Sequence, residues 1–76
     1  PFNPNTNIKF YIKEKSKVVL LVYNLQGQLI ETLIDKELET GFHSFNFDGS
    51  RLPSGIYFYE LKANNFREIK KMILLK

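Results

Sequence analysis

The side chains that most often carry catalysis are scarce in this sequence. His43 is the one histidine among 76 residues, and cysteine is absent. Without cysteine there is no disulfide, no thiolate metal site and no cysteine nucleophile. A lone histidine in an alternating segment is more often structural or exposed than catalytic, so we predict no chemistry at His43.

The acidic and serine-containing segments are also poor candidates for a site. Asp35, Glu37 and Glu39 lack the Asp-rich spacing of a calcium loop, which favours a solvated acidic segment. Ser54 is not part of a Gly-x-Ser-x-Gly nucleophile elbow, and the chain has no Gly-rich phosphate loop. The sequence therefore predicts no enzyme activity, no cofactor and no metal site.

Aromatic and basic residues raise the question of an anionic partner. Tyr57, Phe58 and Tyr59 near basic residues are similar to platforms for single-stranded nucleic acid, but alternating aromatics in a β-sandwich are more often core residues. We predict no nucleic-acid partner. Residues 62–76 carry a net charge of 5 − 1 = +4, and residues 1–61 carry 6 − 7 = −1. This basic tail indicates either an anionic partner or a solvated strand face that resists aggregation.

The length of 76 residues indicates one domain with a small core. No apolar run approaches 18 residues, so we predict no transmembrane segment. No signal peptide is visible at the start, and the opening Pro-Phe-Asn-Pro is typical of a linker. We therefore predict that residues 1–6 are the end of a linker from an upstream domain of a longer protein.

Most of the chain has the side-chain pattern of β-strands. Strand-like alternation or a β-branched run occurs at residues 8–12, 18–23, 42–47, 56–63 and 66–75. Asn24 and Gly27 are typical of a hairpin turn after the second of these segments. The Asp, Gly, Ser and Pro residues of segment 48–55 are typical of a loop.

Residues 28–39 fit two different structures. Five apolar residues would share one side of a helix: Leu29, Ile30, Leu33, Ile34 and Leu38. A strand at residues 28–34 would instead pair at once with residues 18–23 across the hairpin turn. We predict the strand.

The last two strands are joined by Asn64 and Asn65, which suit a two-residue hairpin turn. This turn places Ala63 opposite Phe66 and fixes the rest of the register. One face of the hairpin then carries Tyr57, Tyr59, Leu61, Phe66, Met72 and Leu74, and the other carries Ile56, Phe58, Ile69, Ile73 and Leu75 among Glu60, Lys62, Arg67 and Lys71. Only one face can look into a two-sheet core. The other face indicates a docking partner, or else cover by loops or by the rest of a longer protein.

Five stretches in register, covering essentially the whole chain, resemble one family. Residues 1–10 resemble its NPFNPxTxIxY/F opening, residues 22–30 its VYNxxGQxV hairpin, and residues 41–48 its GxHxxxFD strand. Residues 52–61 resemble LPSGxYFYxL, and residues 70–76 the closing KKMxLLK. The family is the C-terminal sorting domain of the type IX (Por) secretion system, type A.

The resemblance implies an all-β fold, a seven-stranded immunoglobulin-like β-sandwich, with residues 1–76 forming one C-terminal sorting domain. It also implies a non-catalytic secretion signal attached to an upstream cargo domain. In the family the cargo reaches the periplasm by its own signal peptide, and an outer-membrane translocon recognises the domain. A surface sortase then commonly removes it, which leaves the cargo at the cell surface or in the extracellular medium.

The resemblance also indicates where the translocon binds. The expected recognition residues are in the loop before the penultimate strand and in the terminal strand: Pro53, Ser54, Gly55, Lys70, Lys71, Met72, Ile73, Leu74, Leu75 and Lys76. Binding by side-chain docking is the form we predict, although addition of a strand to an open sheet edge fits the same sequence.

Two other functions fit the residue pattern. A structural immunoglobulin-like spacer or adhesion module would have covered outer faces. A carbohydrate-binding module would display a row of exposed aromatics, for example Tyr11, Tyr57 and Tyr59.

Overall fold

The architecture is two antiparallel sheets facing each other. The computed structural model describes residues 5–75, none of which is helical. The six strands are β1 (Asn5–Ile12), β2 (Ser16–Asn24), β3 (Leu29–Leu38), β4 (Gly41–Asp48), β5 (Gly55–Ala63) and β6 (Phe66–Leu74). One sheet has the order β3-β2-β5-β6 and the other is the pair β1-β4. The predicted all-β sandwich is confirmed at this level.

The predicted number of seven strands is wrong for residues 5–75, which form six. The longest connection is residues 49–54, and turns occupy it. Leu52 N–H donates to Gly49 C=O at 3.0 Å, and Ser50 N–H donates to the Asp48 carboxylate at 2.9 Å. A segment folded back on itself in this way cannot extend as a further strand. The immunoglobulin-like arrangement stays a prediction.

Residues 28–39 hold the strand β3, so the helical alternative is wrong. β3 pairs with β2, with register shifts between Leu20 and Leu21 and between Val22 and Tyr23. The shifts leave Leu33 and Ile30 as extra residues without a partner on β2. Each bulge inserts one extra residue into the strand's alternation. The apolar residues therefore occur as neighbouring pairs, Leu29-Ile30 and Leu33-Ile34, with the spacing of an amphipathic helix.

The turn between β2 and β3 forms as predicted. Gly27 has a φ of +84°, which suits glycine, and its N–H donates to Asn24 C=O at 3.0 Å. The Asn24 side-chain oxygen accepts a hydrogen bond from Gln28 N–H at 2.9 Å. Asn24 and Gly27 therefore act together to reverse the chain.

The core lies between the two sheets. Alternate residues of β2, namely Val18, Leu20 and Val22, have no exposed surface, and Phe47 of β4 faces them with 2% exposed. The intervening β2 side chains are only half-buried, because they lie on the outer face of the sheet. The other core residues are Ile8, Ile12, Ile34, Tyr57, Leu61, Ala63, Met72 and Leu74.

The two-stranded sheet does not cover the whole of the four-stranded one. The first six residues of β6 are all exposed, and only Met72 and Leu74 of that strand enter the core. Two-thirds of β6 thus protrudes from the sandwich with both faces in solvent.

The beginning of β1 and the end of β6 lie at the same end of the domain. Asn5 and Thr6 pair with Asp48 and Phe47, and the next residue, Gly49, packs against the Leu74 side chain. Within the predicted linker, residues 5 and 6 therefore belong to β1, and residues 1–4 lie outside the described part of the chain.

Candidate functional site

The terminal hairpin has the register that its two-residue turn predicts. β5 and β6 pair without a break from Ala63 opposite Phe66 to Gly55 opposite Leu74. Asn64 has a φ of +54°, a conformation that asparagine adopts more readily than most residues. The turn chemistry therefore fixes which side chains of the hairpin face outwards.

The outward face of this hairpin is apolar and unsheltered within residues 5–75. Four large side chains are exposed: Ile56 by 37%, Ile69 by 50%, Ile73 by 58% and Leu75 by 51%. The predicted alternative that loops cover this face is therefore wrong for the described chain. We call these four residues the outer row.

The inward face follows the prediction except near the turn. Tyr57, Leu61, Met72 and Leu74 are buried as predicted, but Phe66 is 52% exposed. Phe66 points to the core side of the sheet at a place that the two-stranded sheet does not reach. Its predicted place in the core is therefore wrong.

A buried carboxylate lies within the outward face. Glu60 is 3% exposed although no second sheet covers it in residues 5–75. The Tyr23 hydroxyl donates to one carboxylate oxygen at 3.0 Å, and Arg67 Nε donates to the other. The register places Glu60 opposite Leu21 and Ile69, so Tyr23 and Arg67 reach it along diagonals.

These contacts shift the pKa values of the groups involved. The hydrogen bond from Arg67 is the largest influence and lowers the pKa of Glu60, while burial opposes it and the Tyr23 hydrogen bond assists it. Burial raises the pKa of Tyr23, and the hydrogen bond to Glu60 adds to that rise. Glu60 is therefore a carboxylate at neutral pH, held beneath a guanidinium.

Arg67 remains largely accessible while it holds Glu60. Its side chain is 65% exposed, against 4% for Glu60. Because the contact uses Nε, the two terminal nitrogens are not engaged by Glu60 and remain available as donors. Lys71 lies on the same face, and no carboxylate is within ion-pair distance of it in the described part of the chain. The outer row is thus flanked by accessible cations.

Comparison with known families decides which class of protein this is. The family model described as "Secretion system C-terminal sorting domain" matches residues 1–75. The chain belongs to this family of type IX secretion sorting domains. As a sorting domain it serves as a C-terminal signal for export across the cell envelope and interacts with the secretion system. Neither the curated proteins nor the solved structures gave a match.

The sorting domain brings its two groups of predicted recognition residues together. Gly55, which follows the loop and begins β5, pairs with Leu74 of the terminal strand. Pro53 and Ser54 are exposed, and the Tyr57 hydroxyl holds their loop by donating to Pro53 C=O at 2.8 Å.

Not every predicted recognition residue of the sorting domain is accessible. Lys70, Lys71, Ile73 and Leu75 are exposed, but Met72 and Leu74 lie in the core. Lys76 lies outside the described residues. The terminal motif therefore combines surface residues with anchoring ones.

The charged groups considered for chemistry have structural partners. His43 Nε2 is 2.8 Å from Glu39 C=O, and its ring stacks on Phe10 with a centroid distance of 5.7 Å. Asp35, Glu37 and Glu39 form exposed ion pairs with lysines that precede or begin β2. Residues 5–75 contain no group of three or more potential metal ligands.

A membrane-spanning helix and a row of exposed tyrosines are both absent from residues 5–75. In the described part of the sorting domain, no helix has the length and hydrophobicity needed to cross a membrane. A carbohydrate-binding surface would need Tyr11, Tyr57 and Tyr59 to be exposed together. Tyr11 is 51% exposed and packs edge-on against Phe42. Tyr57 is buried, and Tyr59 packs against the core. The expected row of exposed tyrosines does not form.

Sequence reasoning missed the role of Glu60. The alternating pattern places it with Lys62, Arg67 and Lys71 as a charge that interrupts the outer face. The separation of seven residues between Glu60 and Arg67 spans the two-residue turn, and the register makes them diagonal neighbours. The diagonal position of Glu60 and Arg67 was the sequence signal for their contact. Tyr23, the third residue of the hydrogen-bonded group, lies on β2, and the sequence does not predict that β2 pairs with β5.

Proposed function

We propose that this domain is the non-catalytic C-terminal signal by which the translocon of the outer membrane recognises a larger cargo protein. The cargo domain lies upstream in the same chain and crosses the periplasm before export. A surface sortase then removes the signal, and the cargo ends at the cell surface or in the medium. Family membership supports the sorting role, and the exposed outer row supports recognition through β6.

The outer row is the observation that carries this proposal. Large aliphatic side chains exposed together on one face of a hairpin lower solubility and favour aggregation. A domain as small as this one gains most of its stability from apolar burial, so leaving these side chains in solvent favours a role in contact with another protein. Arg67 and Lys71 flank the row and keep the strand soluble until a partner binds.

We propose a division among the terminal recognition residues. Lys70, Lys71, Ile73 and Leu75 contact the translocon, together with Lys76 and with Pro53, Ser54 and Gly55 of the adjacent loop. Met72 and Leu74 act indirectly, because their side chains hold the strand in the core.

The rival functions lack their distinguishing features. A structural spacer or adhesion module would cover the outer row, but those side chains are exposed. Such a spacer would also tolerate extra residues after Lys76, whereas a terminal signal would lose secretion. A carbohydrate-binding module would need the tyrosine row that the fold does not form.

The test is secretion of a reporter. The 76-residue chain is fused to the C-terminus of a periplasmic reporter in a bacterium with a type IX system, and the reporter at the surface and in the medium is measured. The variant Ile69→Ser/Ile73→Ser changes only exposed side chains of the outer face. We expect it to lower secretion by about tenfold, the effect of losing roughly 1.4 kcal/mol of binding.

The matched control is Leu25→Ser/Leu29→Ser, which alters two side chains of similar exposure, 60% and 55%, at the β2–β3 turn. We expect this control to be secreted like the parent, and both variants to keep the parent's melting temperature within about 4 °C, a change of less than about 1 kcal/mol. Equal secretion of both variants and the parent would contradict the proposal, as would secretion that survives deletion of residues 67–76.

A further inference from the structure

The free edge of β6 is the most regular open edge of the four-stranded sheet. Within residues 5–75, β6 pairs only with β5, and that ladder runs over nine residue pairs without a register shift. The opposite edge strand, β3, contains two shifts. Bulges make an edge a poor template for a further strand. The β6 edge lacks this protection, and its first six residues are also exposed on both faces.

The hairpin turn determines which backbone groups are free at this edge. A two-residue turn makes the flanking residues, Ala63 and Phe66, a hydrogen-bonded pair. Alternate residues from Phe66 onwards therefore direct their N–H and C=O groups to β5. The residues between them, Arg67, Ile69, Lys71 and Ile73, direct theirs to the open side. These groups form a row of about 20 Å, at roughly 3.4 Å for each residue.

The charge of this edge selects the chemistry of a partner. β6 carries Arg67, Lys70 and Lys71 against Glu68, a net charge of 3 − 1 = +2. Glu60 holds the Arg67 guanidinium through Nε, which leaves the two terminal nitrogens as donors for a carboxylate of the partner.

A second copy of β6 fits this edge poorly. Two antiparallel copies centred on Ile69 would place Arg67 of each opposite Lys71 of the other, and like charges directly opposite are destabilising. Both strands would also bring a net positive charge. The edge therefore favours an acidic strand over self-pairing.

We propose that the open edge of β6 binds an extended acidic segment of the secretion machinery by strand addition, with a carboxylate of that segment on Arg67. The proposal rests on the sorting function and names the partner's chemistry. On the outer side of the sheet, the added strand places acidic residues opposite Arg67 and Lys71 and aliphatic residues opposite Ile69 and Ile73. Its sequence therefore alternates acidic and aliphatic side chains at every second position.

The first experiment uses two blocked seven-residue probe peptides, Glu-Thr-Val-Thr-Glu-Thr-Val and its reverse, which serve the two possible strand directions. Each is titrated into the ¹⁵N-labelled 76-residue chain and followed by NMR. We expect one of them to shift the amide signals of Arg67, Ile69, Lys71 and Ile73 more than those of β3. The same peptide with lysine in place of glutamate is expected not to bind.

Two changes separate strand addition from simple charge attraction. N-methylation of the peptide at the amides that face β6 removes backbone donors but leaves its charge, and we expect it to abolish binding. Lys71→Glu is expected to weaken binding by about tenfold or more. The matched change on β3, Lys36→Glu, also alters an exposed lysine, and we expect it to weaken binding by less than about twofold.

Several results would overturn strand addition. These are the absence of shifts at millimolar peptide, equal binding of the lysine peptide, undiminished binding of the N-methylated peptide, or equal weakening by Lys36→Glu. Concentration-dependent dimerisation through β6 in sedimentation would also overturn it. Normal reporter secretion by Lys71→Glu would overturn the edge proposal while leaving the sorting role intact, because that role is tested separately by the Ile69→Ser/Ile73→Ser variant.

Discussion

Replacing Arg67 by methionine tests how the buried carboxylate is held. Methionine keeps much of the aliphatic stem but leaves Glu60 with the Tyr23 hydroxyl as its only hydrogen-bond donor among residues 5–75. A carboxylate that is 3% exposed cannot recover full hydration without movement of its neighbours. The loss of stability in this variant therefore measures the cost of keeping the Glu60 carboxylate buried without its hydrogen bond from Arg67.

The expected loss of stability is about 2 kcal/mol. A hydrogen bond to a charged group contributes about 1.5–3 kcal/mol, and breaking a deeply buried ion pair costs about 3–5 kcal/mol. The cover over Glu60 is only one layer of side chains and Arg67 is 65% exposed, so solvent screening places this pair near the lower range. For a domain of this size, about 2 kcal/mol lowers the melting temperature by roughly 8–16 °C.

A double-mutant cycle isolates the interaction. Glu60→Leu removes the buried charge and leaves Arg67 in solvent, so we expect it to cost about 1 kcal/mol or less. Once Glu60 is leucine, adding Arg67→Met should change stability by less than about 0.5 kcal/mol. The coupling between the two residues, which is the difference between the effects of Arg67→Met in the two backgrounds, is then about 1.5–2.5 kcal/mol.

The assay is thermal and urea unfolding followed by circular dichroism at pH 7. A melting temperature for Arg67→Met within about 2 °C of the parent, a change well under 1 kcal/mol, would refute the reasoning. So would equal effects of Arg67→Met in the two backgrounds. Either result would mean that Glu60 is hydrated in solution and that Arg67 is not fixed by it.

Three other predictions concern pH, packing and the recognition loop. The pKa of Glu60 is lower in the folded than in the unfolded chain, where it is about 4.3. The stability that ionised Glu60 contributes is therefore complete above that unfolded pKa and is lost as pH falls through the folded one. We expect the melting-temperature difference between the parent and Glu60→Gln to shrink from pH 6 to pH 3. Gly49→Ala would place a methyl group 2.7 Å from Leu74 Cδ1, so we expect the free energy of unfolding in urea to fall by about 1–3 kcal/mol. Because Leu74→Val makes room for that methyl group, the two changes together should cost less than the sum of their separate effects. Tyr57→Phe removes the 2.8 Å hydrogen bond to Pro53 C=O; it should cost about 1 kcal/mol and speed amide exchange in residues 50–55, and unchanged exchange there would contradict the anchoring role of Tyr57.

Local patterns predicted the strands and the terminal register well. Alternation or a β-branched run located five of the six strands within a few residues, and the Asn64-Asn65 turn fixed the pairing of β5 with β6. In β3, the doublets Leu29-Ile30 and Leu33-Ile34 favoured a helix by their spacing, because a bulge changes the period of a strand without changing its composition. The choice of strand there depended on the preceding turn, not on periodicity.

The parts that were not predicted depend on contacts between distant segments. Glu60 becomes buried only because Tyr23 and Arg67 meet over it, and Tyr23 lies 37 residues away. The exposure of Phe66 depends on the two-stranded sheet ending short of β6, which no local pattern encodes. The count of seven strands came from the family resemblance, and the turns of residues 49–54 leave no segment for another strand.

The shared location of Asn5 and Leu74 has a consequence for anything joined ahead of β1. A folded body attached there lies beside the last residues of β6 and about 30 Å from the Asn64-Asn65 turn, at roughly 3.4 Å for each of nine paired residues. Without a spacer, such a body would shield the end of the strand from an approaching protein while leaving the turn open. Shortening the spacer between such a body and β1 should therefore slow the binding of a partner protein at Ile73 and Leu75 before it affects binding at Arg67.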